Sequence, residues 1–138
     1  MAERPLSPHL QVWKWGPHMA VSILHRASGT ILALVGLPIL LWWLGALASG
    51  PEDYATFTGW MWQGADGNGA QAIANVLAKA ALVVTSWALF EHTLSGLRHY
   101  VLDSGAGYEL SVNKFWSRMV LIGAPVLTAL FWAALLLR

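Results

Sequence analysis

Three long apolar runs, separated by short polar connections, set the plan of this chain. They extend from about Ile23 to Ala48, from about Ile73 to Leu97 and from about Met119 to Leu137. Each approaches or exceeds the roughly 20 residues that a helix needs to cross a bilayer core. The pattern predicts an all-α protein with three transmembrane helices over about 23–48, 73–100 and 117–137, forming one integral-membrane anchor domain across 1–138. A short N-terminal segment precedes the first helix. Pro51 after Ser49-Gly50 suits a helix start, and Glu52 and Asp53 suit its first turn. A short interfacial helix from Pro51 to about Trp62 is therefore expected, followed by a turn region at Gly64–Gly69. Pro38 and Pro125 fall inside spans. Each removes a backbone hydrogen bond and is expected to bend its helix, which membrane helices tolerate when neighbours re-satisfy the freed carbonyls. There is no internal repeat, and too little chain outside the runs to house a substrate site in a separate soluble domain.

Composition sharpens this picture. The chain has 138 residues, of which 57% are hydrophobic and 11% charged, whereas soluble domains carry roughly a quarter charged residues. The opening Met1-Ala2-Glu3-Arg4-Pro5 lacks a short apolar core with a small-residue cleavage site and is not expected to be a cleaved signal peptide. There is no cysteine, which excludes a disulfide, a thiolate ligand or an iron–sulfur cluster within this chain. The net charge of +1 gives no case for nucleic-acid binding.

The charges are sorted by side. Arg4, Lys14 and Arg26 precede or open the first span, and Arg98, Lys114 and Arg118 flank the second connection. The first connection holds Glu52, Asp53 and Asp66 and no Lys or Arg. The positive-inside rule then predicts that the N-terminus and the Arg98–Arg118 loop face the cytoplasm (or matrix). Among the nine tryptophans, Trp13, Trp15 and Trp116 would form an inner aromatic belt, and Trp42, Trp43, Trp60, Trp62 and Trp132 an outer one. Lys79, near the outer end of the second span, is expected to snorkel to the headgroups.

Candidate chemistry gathers at the inner depth. Ser22, His25 and Arg26 share a helical face at the start of the first span. On the second, His92 and His99 stand two turns apart and point the same way, with His99 roughly 10 Å nearer the cytoplasm. Gly96, one turn from His92, clears a flat space where a planar group could approach the backbone. Neutral imidazole is an axial ligand for haem iron, and Arg26, His25, Arg98 and His99 are suitable cationic partners for two propionates. The geometry predicts a haem on edge, with iron at His92 and propionates toward the inner face. The other histidines all lie nearer the interface, so a second axial ligand would come from another subunit.

Spacing leaves a plainer reading open. A membrane histidine can simply bond a carbonyl of a neighbouring helix, and inner-end Arg and His also satisfy the positive-inside rule without a ligand. Glu91 can equally face a partner helix or a water-filled crevice. Thr85 and Ser86 fit packing roles.

Three segments carry a family resemblance: Arg4-Pro5-Leu6-Ser7-Pro8-His9-Leu10, Ser22-Ile23-Leu24-His25-Arg26-Ala27-Ser28-Gly29 and His92-Thr93-Leu94-Ser95-Gly96-Leu97-Arg98-His99 followed by Asp103. Together they resemble the cytochrome b556 subunits of succinate dehydrogenase, membrane anchors of respiratory complex II, over nearly the whole chain. The resemblance implies a succinate:quinone oxidoreductase in which a flavoprotein oxidises succinate and an iron–sulfur subunit passes electrons to the membrane. It implies that this chain and a second membrane anchor hold one haem b between them, with His92 as one axial ligand. It also implies ubiquinone bound by Ser22 and Arg26, and propionate contacts from His25, Arg26 and His99. Glu91 departs from the pattern, which leads one to expect an aromatic or apolar residue before the ligand; it could perturb haem potential or pair with the second anchor.

The chain is thus expected to be a non-catalytic subunit of the bacterial inner (cytoplasmic) membrane, with the mitochondrial inner membrane as the less favoured site. Alternatives are the anchor of a quinol:fumarate reductase and a purely structural anchor without haem. A transporter or channel subunit would need a polar track across the membrane. The third span offers little beyond Thr128, and the outer half of the first is nearly all apolar.

Overall fold

The computed structural model describes residues 14–62 and 69–138. They form four helices: α1 (Pro17–Ser49), α2 (Pro51–Met61), α3 (Gly69–Asp103) and α4 (Leu110–Leu136). Three of these, with 33, 35 and 27 residues, are long and apolar enough to cross a membrane. The helices outrun the apolar stretches that predicted them: α1 begins at Pro17 rather than near 23, and α4 at Leu110 rather than near 117. Hydropathy marks only the part suited to hydrocarbon. Because a helix satisfies its backbone internally, it can continue through polar residues beyond that part. The expected helix at Pro51 is present as α2, and it follows Gly50, whose φ of 121° makes the sharp break after α1. The turn region expected at Gly64–Gly69 falls almost wholly outside the described residues, as do Trp13 and the Arg4–Leu10 segment.

Pro38 is accommodated without breaking α1. Just before it, Leu32–Gly36 opens into a π turn, in which the Leu37 N–H reaches back five residues to the Leu32 carbonyl. The wider turn takes up a residue where proline cannot supply a regular bond. Pro125 lies within α4, which remains helical on both sides of it.

α3 packs against both α1 and α4, and α1 also touches α4. The buried positions where these three helices pack include Val21 and Ser28 on α1, Ala88, Glu91 and Ser95 on α3, and Ser117, Val120, Ala124 and Thr128 on α4, with Phe57 of α2 the one large apolar residue buried among those described. The α4 set recurs every three or four residues and so forms one stripe. Small residues there let backbones approach, which is how helices associate where no hydrophobic force separates protein from lipid. The large apolar side chains, among them Leu34, Leu41, Ile122 and Leu130, stay exposed on the outside of the bundle.

At the α2 end, Asn75 Nδ2 donates to the Gly59 carbonyl at 3.2 Å and ties α2 to α3. Trp132 Nε1 donates to Ser86 Oγ at 2.8 Å, giving Ser86 a bonding role beyond packing. Trp132 also stacks on Trp62, whose ring centroid lies 5.9 Å from Lys79 Nζ. Lys79 therefore rests beside an aromatic ring at this end of the bundle. At the other end, Gly105 and Gly107 adopt positive φ in the short connection between α3 and α4.

Candidate functional site

The end of the bundle nearest that connection gathers the histidines. His92 and His99, two turns apart on α3, both meet His25 of α1. The His25 and His92 rings stack with centroids 4.1 Å apart and planes 7° from parallel. His99 is tilted 58° to His25 at 5.0 Å. Gly29 permits the approach, whereas a side-chain carbon at Gly96 would meet His25 only at ordinary contact distance. A Cβ on Gly29 would stand 3.0 Å from His92 Cε1, and one on Gly96 would stand 4.0 Å from His25 Nε2. The flat space expected above Gly96 is thus faced by the His25 ring.

Hydrogen bonds then fix His92. Its Nδ1 lies 3.1 Å from the backbone carbonyl of His25 and 3.3 Å from Ser28 Oγ. A carbonyl only accepts, so Nδ1 carries the hydrogen in the neutral ring, and Nε2 is left with its lone pair. No described residue bonds Nε2. The carbonyl contact that spacing alone left as the plain alternative is therefore present, yet it uses only one of the two ring nitrogens.

Ser28, in the sequence a motif position with no role of its own, proves central. Its hydroxyl donates to Glu91 Oε2 at 2.7 Å and also lies 2.9 Å from the His25 carbonyl. Ser28 is wholly buried and Glu91 is 1% exposed. Glu91 thus turns into the bundle against α1, rather than outward to a partner helix or a wet crevice. Its Oε1 has no hydrogen-bond partner, and neither does the buried Ser95 Oγ. A helical phase count flags Ser28 from its position three residues after His25, on the same face of α1.

The remaining candidates divide between two faces. Ser22 is half-buried one turn before Arg26, and Arg26 is exposed with no ion pair among the described residues. Arg98 does not join the histidines. Its guanidinium donates to Asn113 Oδ1 of α4, and it lines a mostly apolar cavity of about 320 Å³ with Leu94, Leu97, Trp116 and Met119. Six residues from His92 is about 120° around a helix, which already separates the two. Among the described residues no group of three or more His, Cys, Asp or Glu could hold a bare metal ion. What the arrangement offers is one imidazole whose Nδ1 is engaged by α1.

Residues 1–131 match the family of succinate dehydrogenase/fumarate reductase transmembrane subunits. The chain belongs to that family. It is 33% identical to the succinate dehydrogenase cytochrome b556 subunit of Paracoccus denitrificans, over 92% of this chain and 88% of that protein. The corresponding subunit of Rickettsia conorii is 31% identical over 94% of this chain and 91% of its own length. The mitochondrial cytochrome b560 subunit of Mus musculus is 34% identical over 83% and 60% respectively. With its three apolar helices, this member of the family is a membrane protein. The histidine cluster of this family member lies between α1 and α3, at one end of the bundle.

Proposed function

We propose that the chain is the haem b- and ubiquinone-binding anchor of a succinate:quinone oxidoreductase, seated in a bacterial cytoplasmic membrane with the histidine end facing the cytoplasm. The observation that carries this reading is the state of His92. Its Nδ1–H is committed to a backbone carbonyl and its Nε2 is free, which is the tautomer a haem ligand needs. Bound haem b supplies a one-electron centre inside the membrane.

His25 is near, but it cannot complete the coordination. Its ring is stacked on that of His92, 4.1 Å away and 7° from parallel, which leaves no room for a planar group between the two. That supports a second anchor subunit as the source of the other ligand. His25, Arg26 and His99 supply donors and positive charge for propionates at the wetter end. Arg98, held to Asn113 on the α4 face, adds to the positive field there without joining their cluster.

Ser22 and Arg26 serve ubiquinone at the same end. A quinone carbonyl gains negative charge on reduction, and a hydroxyl and a guanidinium stabilise that charge as it develops. Electrons reach them from an iron–sulfur subunit docked on this side, fed by a flavoprotein that oxidises succinate. The names of the relatives favour succinate oxidation over fumarate reduction. The test is the reduced-minus-oxidised absorption spectrum of the complex purified in mild detergent. A b-type band is expected, and His92→Ala should abolish it; a band that survives the substitution removes the haem assignment.

A further inference from the structure

We propose that Glu91 is a positioning residue for His92, acting through the Ser28 hydroxyl. The inference rests on His92 being the haem ligand, and it concerns how that ligand is held. Ser28 has one hydroxyl proton and two acceptors within reach, Glu91 Oε2 at 2.7 Å and the His25 carbonyl at 2.9 Å. The His25 carbonyl is also the acceptor for His92 Nδ1–H, at 3.1 Å. Without Glu91, the hydroxyl proton would turn to the same carbonyl that accepts the His92 N–H, crowding an oxygen with two lone pairs that also lies within the α1 ladder. With it, the hydroxyl proton goes to the carboxyl and the carbonyl is left to the ring. The Ser28 oxygen, 3.3 Å from Nδ1, becomes a second acceptor for the same N–H.

The ring is therefore pinned by two acceptors from adjacent turns of α1, in a site where Ser28 and Glu91 are cut off from water. Bonds in such a setting are stronger and hold their geometry. A partner on the far nitrogen of a ligating imidazole also raises its donor strength. Burying a carboxyl with one oxygen unbonded is costly. The single bond it makes goes to the hydroxyl that touches the ligand.

The test uses the complex purified in mild detergent, carrying Glu91→Leu, Ser28→Ala, Glu91→Gln or the Leu/Ala pair, with His92→Ala as control. Two quantities are read: the highest g-value of the low-spin ferric haem, which follows imidazole orientation, and the rate of haem transfer to excess apomyoglobin. Glu91→Leu and Ser28→Ala should each shift the g-value and speed haem loss roughly 10- to 100-fold. Glu91→Gln keeps an oxygen for the hydroxyl and should stay close to the parent protein. The double variant should be no worse than the worse single one, because both break the same chain of contacts. An unchanged g-value and loss rate in Glu91→Leu would overturn the proposal. So would a Gln variant as impaired as the Leu one. Retention of the b-type band in His92→Ala would instead remove the ligand assignment itself, an outcome these two readouts keep separate.

Discussion

The imidazole of His25 lies flat against that of His92, 4.1 Å away and 7° from parallel. The same residue supplies the carbonyl that bonds His92 Nδ1. One residue thus holds the His92 ring twice, by its backbone and by its side chain, and the two holds can be separated.

In His25→Ala the carbonyl remains, while the stacking and the proposed propionate contact are lost. Aromatic pairs contribute about 1 kcal/mol beyond their buried area, so haem retention should weaken by at least roughly fivefold while the b-type band persists. Haem content after extended washing, compared with that of His92→Ala, checks this. A loss as complete as that of His92→Ala would contradict it.

Gly29→Ala should be more damaging than its size suggests. The new methyl would sit 3.0 Å from His92 Cε1, against a ring that its hydrogen bonds keep from moving. Overpacking of this kind costs roughly 1–3 kcal/mol. Lower haem occupancy in a complex that still assembles is expected, measured as haem per flavin.

Ser22→Ala and Arg26→Leu should separate the two half-reactions. Quinone reduction should fall at least about tenfold in Arg26→Leu and less in Ser22→Ala, since a charged donor gains more from developing negative charge. Succinate oxidation with a soluble artificial acceptor should be unchanged. Equal loss of both activities would indicate failed assembly rather than a quinone-site defect.

Asn113→Leu should destabilise the α3–α4 pair by about 1–3 kcal/mol, because it strips the Arg98 guanidinium of its acceptor. Arg98→Met/Asn113→Leu should recover part of that loss, since neither polar partner is then left alone. Thermal unfolding in detergent, followed by tryptophan fluorescence, reads both. A double variant less stable than Asn113→Leu would refute the pairing.

Much of this was legible in the chain. Lipid imposes so strong a demand for apolar length that the three spans follow from hydropathy, and helical phase alone puts His92 and His99 on one face. The same arithmetic, applied to Arg98, turns it away from that face. Contacts between helices were not legible, because they depend on how far each helix is rotated and slid against its neighbour. Ser28 and Glu91 are 63 residues apart and meet only after that packing is set. Gly29 closes the Ser22–Gly29 motif, but nothing in the motif says what it makes room for. A missing side chain becomes meaningful only when a ring is found in the space it vacates.

The π turn at Leu32–Gly36 has a consequence for how α1 can change. An extra residue in one turn advances the helix by about 100°, so the segment from Pro17 to Ile31 and that from Leu37 to Ser49 keep separate rotational registers. Losing one residue within the widened turn could restore a regular spiral there, but it would swing the lipid-facing leucines round relative to Ser28. Insertions and deletions at this point therefore act as a dial between the two halves, and an evolutionary change of a single codon there would reorient one face of the subunit without altering any residue that touches the histidines.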